Sequence, residues 1–399
     1  MITQKHSVGV PDLPWPFPGQ VRPETSVFID IETTGLKAST SRLYMIGVLY
    51  ATGEGWNTIQ WMAETSAEEE GLLRVLAAFI RPYRALIHFN GERFDLPYLR
   101  EKYAAHQLPC PLDALLSLDL YRSIRPLKTL LGLKHLNQKA LEQFLNLTRE
   151  DPFTGGELIG VYRQWQHARS PEDLQALMLH NREDLTGMLP LISLLTYLPL
   201  TQVGMADPET GGTDPCIRQI SCIHTQSNVS EPLRLPAVPA DALPSRADDL
   251  ECIDRFTIRL MLPDQVPVSV HRQGELSTLT VTGTQAQLLV PVLQGRLRYF
   301  FENYRDYYYL PLEDQAIHKS VAVYVDSAHR VKATRQNCYI PKEALFLPQK
   351  KDGGFLPAYR RTWQDPIRFL ELPQTLFSDE PDNVFLRQYT AMLLEEHVG

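Results

Sequence analysis

The chain has 399 residues and a mass of 45.5 kDa, enough for two domains with cores of their own. Hydrophobic residues make up 44% and charged residues 22%, which excludes a disordered or fibrous protein, and no apolar run reads as long enough to cross a bilayer. The formal net charge of −8 excludes broad, non-specific coating of nucleic acid, yet it leaves room for an acidic metal site that grips one strand locally.

Residues 1–21 contain Pro11, Pro14, Pro16 and Pro18 and no apolar signal-like core. They are expected to form an extended arm packed on the first domain, and a cytoplasmic location follows by default. The next stretch, Val-Phe-Ile-Asp-Ile-Glu at 27–32, reads as an apolar strand carrying Asp30 and Glu32 and closing at Gly35. Strand alternation sends both acids from one face. Neighbouring carboxylates are costly to desolvate without a cation. The pair therefore marks either ligands of a hard divalent metal or an exposed acidic pair on an edge strand.

Strands over 43–50 and 58–62 make an antiparallel start to a sheet. Leu72, Leu73, Leu76 and Phe79 have helical spacing, which predicts a helix over 68–80 that Pro82 ends. A short buried strand at 85–88 leads to a turn at Asn90-Gly91 and a helix entered near Phe94. Asp95 then stands in that helix's first turn, either reaching toward the neighbouring strand ends or simply favoured by the helix dipole. An apolar run at 113–121 contains Asp119 and precedes a basic loop with Arg122, Arg125 and Lys128. Helices are expected over 133–145 and 155–166. Ser170 and Pro171 then cap and open a long one. On it His180 and Asp184 share a face beside the stripe Leu174, Leu177, Met178, Leu185 and Met188, as an inner-edge site or as a solvated face.

Residues 201–250 are rich in Pro and turn formers and read as a linker. Beyond them the period switches to two. Strands are expected at 256–262, 267–272, 277–282, 287–301, 307–310, 320–326, 332–340 and 344–348, with a helix at 386–396. Residues 251–399 thus read as a mostly antiparallel β domain, a sandwich or partly open barrel. Arg296, Arg298, Tyr299, Phe300, Arg305 and Tyr307 to Tyr309 interleave basic and aromatic residues, as a base-stacking surface or, as the period favours, as sheet core. His318-Lys319 and Arg360-Arg361 are further phosphate-contact candidates without a specific pattern. Five scattered cysteines lack CxxC pairing, and Cys216, Cys222 and His224 match no common zinc spacing.

Asp-Ile-Glu-Thr-Thr-Gly-Leu at 30–36 resembles the first motif of the DEDD 3′–5′ exonuclease superfamily. Asn90 through Asp95 resembles the second, and His180-Asn181-Arg182-Glu183-Asp184 the third. The three in order over about 27–198, with Arg149 in a Leu-Thr-Arg-Glu-Asp turn, are most similar to predicted bacterial exonucleases of the RNase H-like group. The resemblance implies an α/β chain: an RNase H-like catalytic domain at 22–200, its mixed sheet flanked by helices, followed by the β domain of unassigned role. It also implies a metal-dependent nuclease that hydrolyses phosphodiester bonds of DNA or RNA from a 3′ end. Asp30, Glu32, Asp95 and Asp184 would hold two Mg²⁺ or Mn²⁺ ions roughly 4 Å apart.

His180 would orient, and in histidine-type members deprotonate, the attacking water. Three residues separate it from Asp184, the spacing of tyrosine-type members, which favours orientation over a direct base role. Thr33, Asn90, Arg122 and Arg125 are the substrate-contact candidates, and Asp119 is either a support for the metal ligands or a structural acid. The implied partners are nucleic acid with a single-stranded 3′ end and a protein such as a helicase or repair factor, with no membrane. Two other readings stay open: a structure-specific endonuclease on the same site, and an inactive nucleic-acid- or protein-binding module. The retained acidic quartet counts against the second.

Overall fold

Strand alternation decides how the first half is layered. In the computed structural model, which describes residues 1–9, 13–17, 21–203, 219–225, 250–373 and 384–398, the chain divides into two units. The first comprises Met1–Leu198 with Asp264–Val268, the second Pro199–Pro263 with Ser269–Gly399.

The first unit runs β1 (Ile2–Val8), β2 (Ser26–Thr33), β3 (Leu43–Thr52), β4 (Gly55–Met62), α1 (Glu69–Ile80), β5 (Ala85–His88), α2 (Asp95–Ala105) and β6 (Leu116–Asp119). There follow α3 (Leu120–Ile124), α4 (Lys128–Leu131), α5 (Gln138–Phe144), α6 (Gly155–Ala168) and α7 (Pro171–Leu191). The sheet order is β1-β4-β3-β2-β5-β6, and β2 pairs antiparallel with β3 but parallel with β5. This is the mixed, helix-flanked RNase H-like arrangement. β2 lies inside the sheet, which removes the edge-strand explanation for Asp30 and Glu32.

Val27, Ile29 and Ile31 of β2 enter a core with Leu72, Leu73 and Leu76 of α1 and Leu96 and Leu99 of α2. The alternate positions face α7. Gly47 on β3 has no room for a side chain there: a Cβ would strike the Asn181 carboxamide oxygen and lie 2.6 Å from Leu185 Cδ1. Gln60 of β4 spans the same layer, donating to Asn181 Oδ1 and to the Met178 carbonyl, each at 2.9 Å. α7 starts as its sequence requires, with Ser170 Oγ accepting from the Asp173 N–H at 3.3 Å.

Several expectations need correction. The arm at 1–21 is partly a strand: β1 pairs with β4 from Ile2 opposite Met62 to Val8 opposite Trp56, covering an otherwise open edge. The helix expected from 133 begins only at Gln138. Gly132, with φ 67°, ends α4, and the Asn137 side chain caps α5 by accepting the Ala140 N–H at 2.8 Å. α7 and the 3₁₀ turn after it, Pro171–Thr201, are together long and apolar enough to cross a membrane. Leu177, Met178, Leu185, Met188 and Leu189 are nonetheless buried within the protein, as in a core helix.

The second unit is antiparallel throughout. It holds β7 (Gln219–Thr225), β8 (Glu251–Met261), β9 (Val270–Gln273), β10 (Thr278–Thr282), β11 (Gln285–Phe300), β12 (Tyr307–Leu310) and β13 (Gln315–His318). It continues with α8 (Lys319–Ala322), β14 (Val331–Lys332), β15 (Tyr339–Gln349), β16 (Arg368–Glu371) and α9 (Val384–Val398). β7 falls inside the expected linker and pairs with β8, while most of 201–250, including Cys216, lies outside the described residues. The strand expected at 320–326 is instead a short helix and turn. His318 Nδ1 accepts the Ser320 N–H at 3.3 Å and opens α8, leaving Val323 and Tyr324 64% and 89% exposed. Of the basic and aromatic stripe, Arg298 and Phe300 are buried, Arg296, Tyr299 and Tyr307 to Tyr309 are half-buried and Arg305 is exposed, and the Arg298 guanidinium lies 4.8 Å from the Tyr339 ring centre.

Candidate active site

Asp30 and Glu32 leave β2 on the face toward α7, as the alternation requires. The carboxyl of Asp30 accepts from Asn181 Nδ2 at 2.7 Å. Asn181 is fully buried and is itself held by Gln60, so a β4–α7–β2 relay fixes the rotamer of Asp30. Burial, and then the charges of Asp184, Glu32 and Asp95, push Asp30 well above the usual carboxylate range, with the Asn181 amide opposing. Glu32 is pushed well up by burial and by Asp184, Asp95 and Asp151, and the Tyr44 phenol works the other way. Asp95 opens α2 and is buried. Desolvation raises its pKa to about 7, against the backbone N–H groups of Asp95 and Ile31. That last group belongs to β2 between the first two acids, so the second motif faces the first.

The third motif brings His180 and Asp184 together on one face of α7, with Nε2 3.2 Å from Asp184 Oδ2 and 3.8 Å from Glu32 Oε1. Glu32, His180 and Asp184 each offer one ligand atom, and these atoms lie within 4.8 Å of one another. Glu32 and Asp184 thus share one cluster with His180, and the charges of Asp95 and Asp184 are felt at both Asp30 and Glu32.

Sequence reasoning missed the group behind His180. Its Nδ1 meets Asp151 Oδ2 at 2.7 Å, which directs Nε2 into the acidic pocket. Asp151 is buried, yet the Phe153 N–H and His180 hold its pKa below the ordinary value. Arg149, two residues earlier, pairs with Asp184 Oδ1 and grips Glu142 at 2.5 and 2.6 Å. Burial works against the Arg149 charge, but Glu142 and Asp184 more than offset it and keep the guanidinium ionised. Glu183 on α7 closes the turn by accepting the Glu150 and Asp151 N–H groups, each at 2.9 Å. Asp184 therefore turns Oδ1 to Arg149 and Oδ2 to the pocket.

The remaining candidates are spread around this centre. The Thr33 hydroxyl donates to the Gly35 carbonyl at 2.9 Å and shapes the turn after β2. Asn90, at φ 59°, gives its N–H to Asp119 Oδ1 at 2.9 Å. Asp119 also accepts from the Arg122 N–H at the start of α3, which makes it a structural acid for this turn. Arg122 is exposed and paired with Glu92 at 3.1 Å, while Arg125 lines a groove beside Asn90.

The donor set fits divalent metal. Glu32 and Asp95 are buried and Asp30 is half-buried, all three with raised pKa values, and Arg149 is the one cation paired into the quartet among the described residues. Residues 27–196 match the family model RNase_H_2 of the RNase_H superfamily. No curated protein matches the chain. Among solved structures the chain is similar to the family B DNA polymerase from the hyperthermophilic archaeon Pyrobaculum calidifontis, at 16% identity and a TM-score of 0.36. That alignment covers 50% of this chain and 29% of the polymerase, so the chain spans less than a third of that protein's length. The first half has an RNase H-like fold, and an antiparallel β domain follows it.

Proposed function

We propose that the domain at 22–200 is a DEDD-type exonuclease that removes nucleotides from the 3′ end of DNA or RNA with two Mg²⁺ or Mn²⁺ ions. The observation that carries this reading is the set of carboxyls without a cation of their own, half-buried Asp30 and buried Glu32 and Asp95, gathered with Asp184 from three separate segments. These four would hold the ions, with His180 Nε2 within reach of the donors Glu32 and Asp184. Bound divalent metal supplies an acidified water nucleophile and charge stabilisation on the departing oxygen. The chain's own contribution is orientation. Asn181 sets Asp30, Arg149 sets Asp184, and Asp151 sets His180. His180 Nε2 lies 3.2 Å from Asp184 Oδ2, a contact in which Nε2–H donates to the carboxylate and leaves no lone pair to take a proton, which favours a positioning role for His180 over proton removal. The 3′ polarity and a helicase or repair protein as partner rest on the motif resemblance, and a cytoplasmic location rests only on the signal-free reading of residues 1–21.

The test is hydrolysis of a 5′-labelled single-stranded oligonucleotide with Mg²⁺ or Mn²⁺. The expected product is a ladder of single-nucleotide steps from the 3′ end. Asp30→Asn should lower turnover at least about a thousandfold with the circular dichroism spectrum unchanged. Internal cuts would point to an endonuclease, and no turnover with any divalent ion would leave a binding module.

A further inference from the structure

A groove of about 600 Å³ opens where the turn after β5 faces the segment from α3 to α5. Arg93, Arg125, Lys128 and Lys134 line it, and no carboxylate does. Among the described residues none of these four cations has an ion-pair partner, whereas nearby Arg122 is tied to Glu92. Four free cations in one groove run against the chain's net charge of −8. The rings of Phe89 and Tyr121, half-buried and edge to face at 5.9 Å, are also part of its lining.

The walls are fixed relative to each other. Asp119 accepts the N–H groups of Asn90 and Glu92 on one side, at 2.9 and 3.4 Å, and that of Arg122 on the other, at 3.3 Å. The turn that forms the first wall runs straight into Asp95 at the start of α2.

We propose that this groove binds single-stranded polynucleotide and leads its end to the acidic pocket. Several cations along one path suit a repeating phosphate chain better than a lone phosphate, and aromatic faces stack unpaired bases that a duplex conceals. The proposal rests on the nuclease reading for what lies at the groove's end, but binding itself does not require turnover.

The experiment compares the parent with Arg93→Gln/Lys128→Gln/Lys134→Gln, all exposed positions. Anisotropy of a fluorescein-labelled oligonucleotide, measured in EDTA across a salt series, reads the groove. The triple variant should bind at least tenfold more weakly. Its plot of log affinity against log salt should be shallower by about 2, since each lost single-strand phosphate contact removes about 0.7. Tyr121→Ala should weaken binding about tenfold. Hydrolysis of thymidine 5′-monophosphate p-nitrophenyl ester with Mn²⁺ reads the acidic pocket and should be unchanged in the triple variant. Unaltered affinity and salt slope in that variant would overturn the proposal, as would equal binding of duplex or of polyglutamate by the parent. Strand binding that depends on the groove, in a parent that hydrolyses nothing, would uphold the groove and reject the nuclease reading instead.

Discussion

Asp151 does for His180 what Arg149 does for Asp184: each takes one polar atom of a pocket residue and leaves the other facing inward. Supports of this kind are typically worth ten- to a hundredfold in metal affinity or activity. Asp151→Ala should therefore lower turnover about ten- to a hundredfold at saturating Mn²⁺. Asp151→Asn, which keeps an acceptor for Nδ1, should recover most of it, and equal rates for both variants would show that His180 needs no such support. Arg149→Met strands Glu142, which is 2% exposed, without its cation, so a loss of about 3–5 kcal/mol in urea unfolding is expected. The pocket acids were legible because their residue types sit in a motif at strand and helix positions. Asp151 was not, because its partner lies 29 residues away and no local period marks it.

At the scale of elements, α7 is the organising piece. It carries Asn181 to Asp30, His180 to Glu32, and Asp184 to Arg149. Its approach to the sheet depends on Gly47, and Gly47→Ala must push helix and strand apart. The expected cost is about 1–3 kcal/mol, measured by urea unfolding, together with reduced turnover because the Asn181–Asp30 bond is displaced. Full stability in that variant would mean the layers part freely. The sequence pattern placed α7 well, since Ser170-Pro171 is a local start signal. It missed β1, whose polar-rich run Thr-Gln-Lys-His-Ser gains its strand character from a neighbour, β4, some 50 residues on. It also misplaced 320–326, where alternating valines are overruled by the His318 cap.

For the whole molecule, the acidic pocket makes stability depend on pH and metal together. Asp95 folds with a pKa of about 7, against roughly 4 when unfolded, and Asp30 and Glu32 are raised as well. The folded, metal-free chain thus keeps protons that the unfolded chain has released. Stability falls as pH rises through that window, by about 1.4 kcal/mol per pH unit for each such group. Glu69, held low by Lys102 and His106 despite burial, acts in the opposite direction, but its contribution is complete above about pH 5. Without metal the urea midpoint should be higher at pH 5 than at pH 8, and Mn²⁺ should raise it more at pH 8. A flat profile would mean the carboxyls are not enclosed together. The turn at Arg149, Glu150 and Asp151 is fastened at all three residues to Glu142, His180, Glu183 and Asp184. Half of the pocket therefore travels with its own scaffolding in the contiguous sequence 137–191, a cassette that could be grafted onto another sheet without importing the strands beneath it.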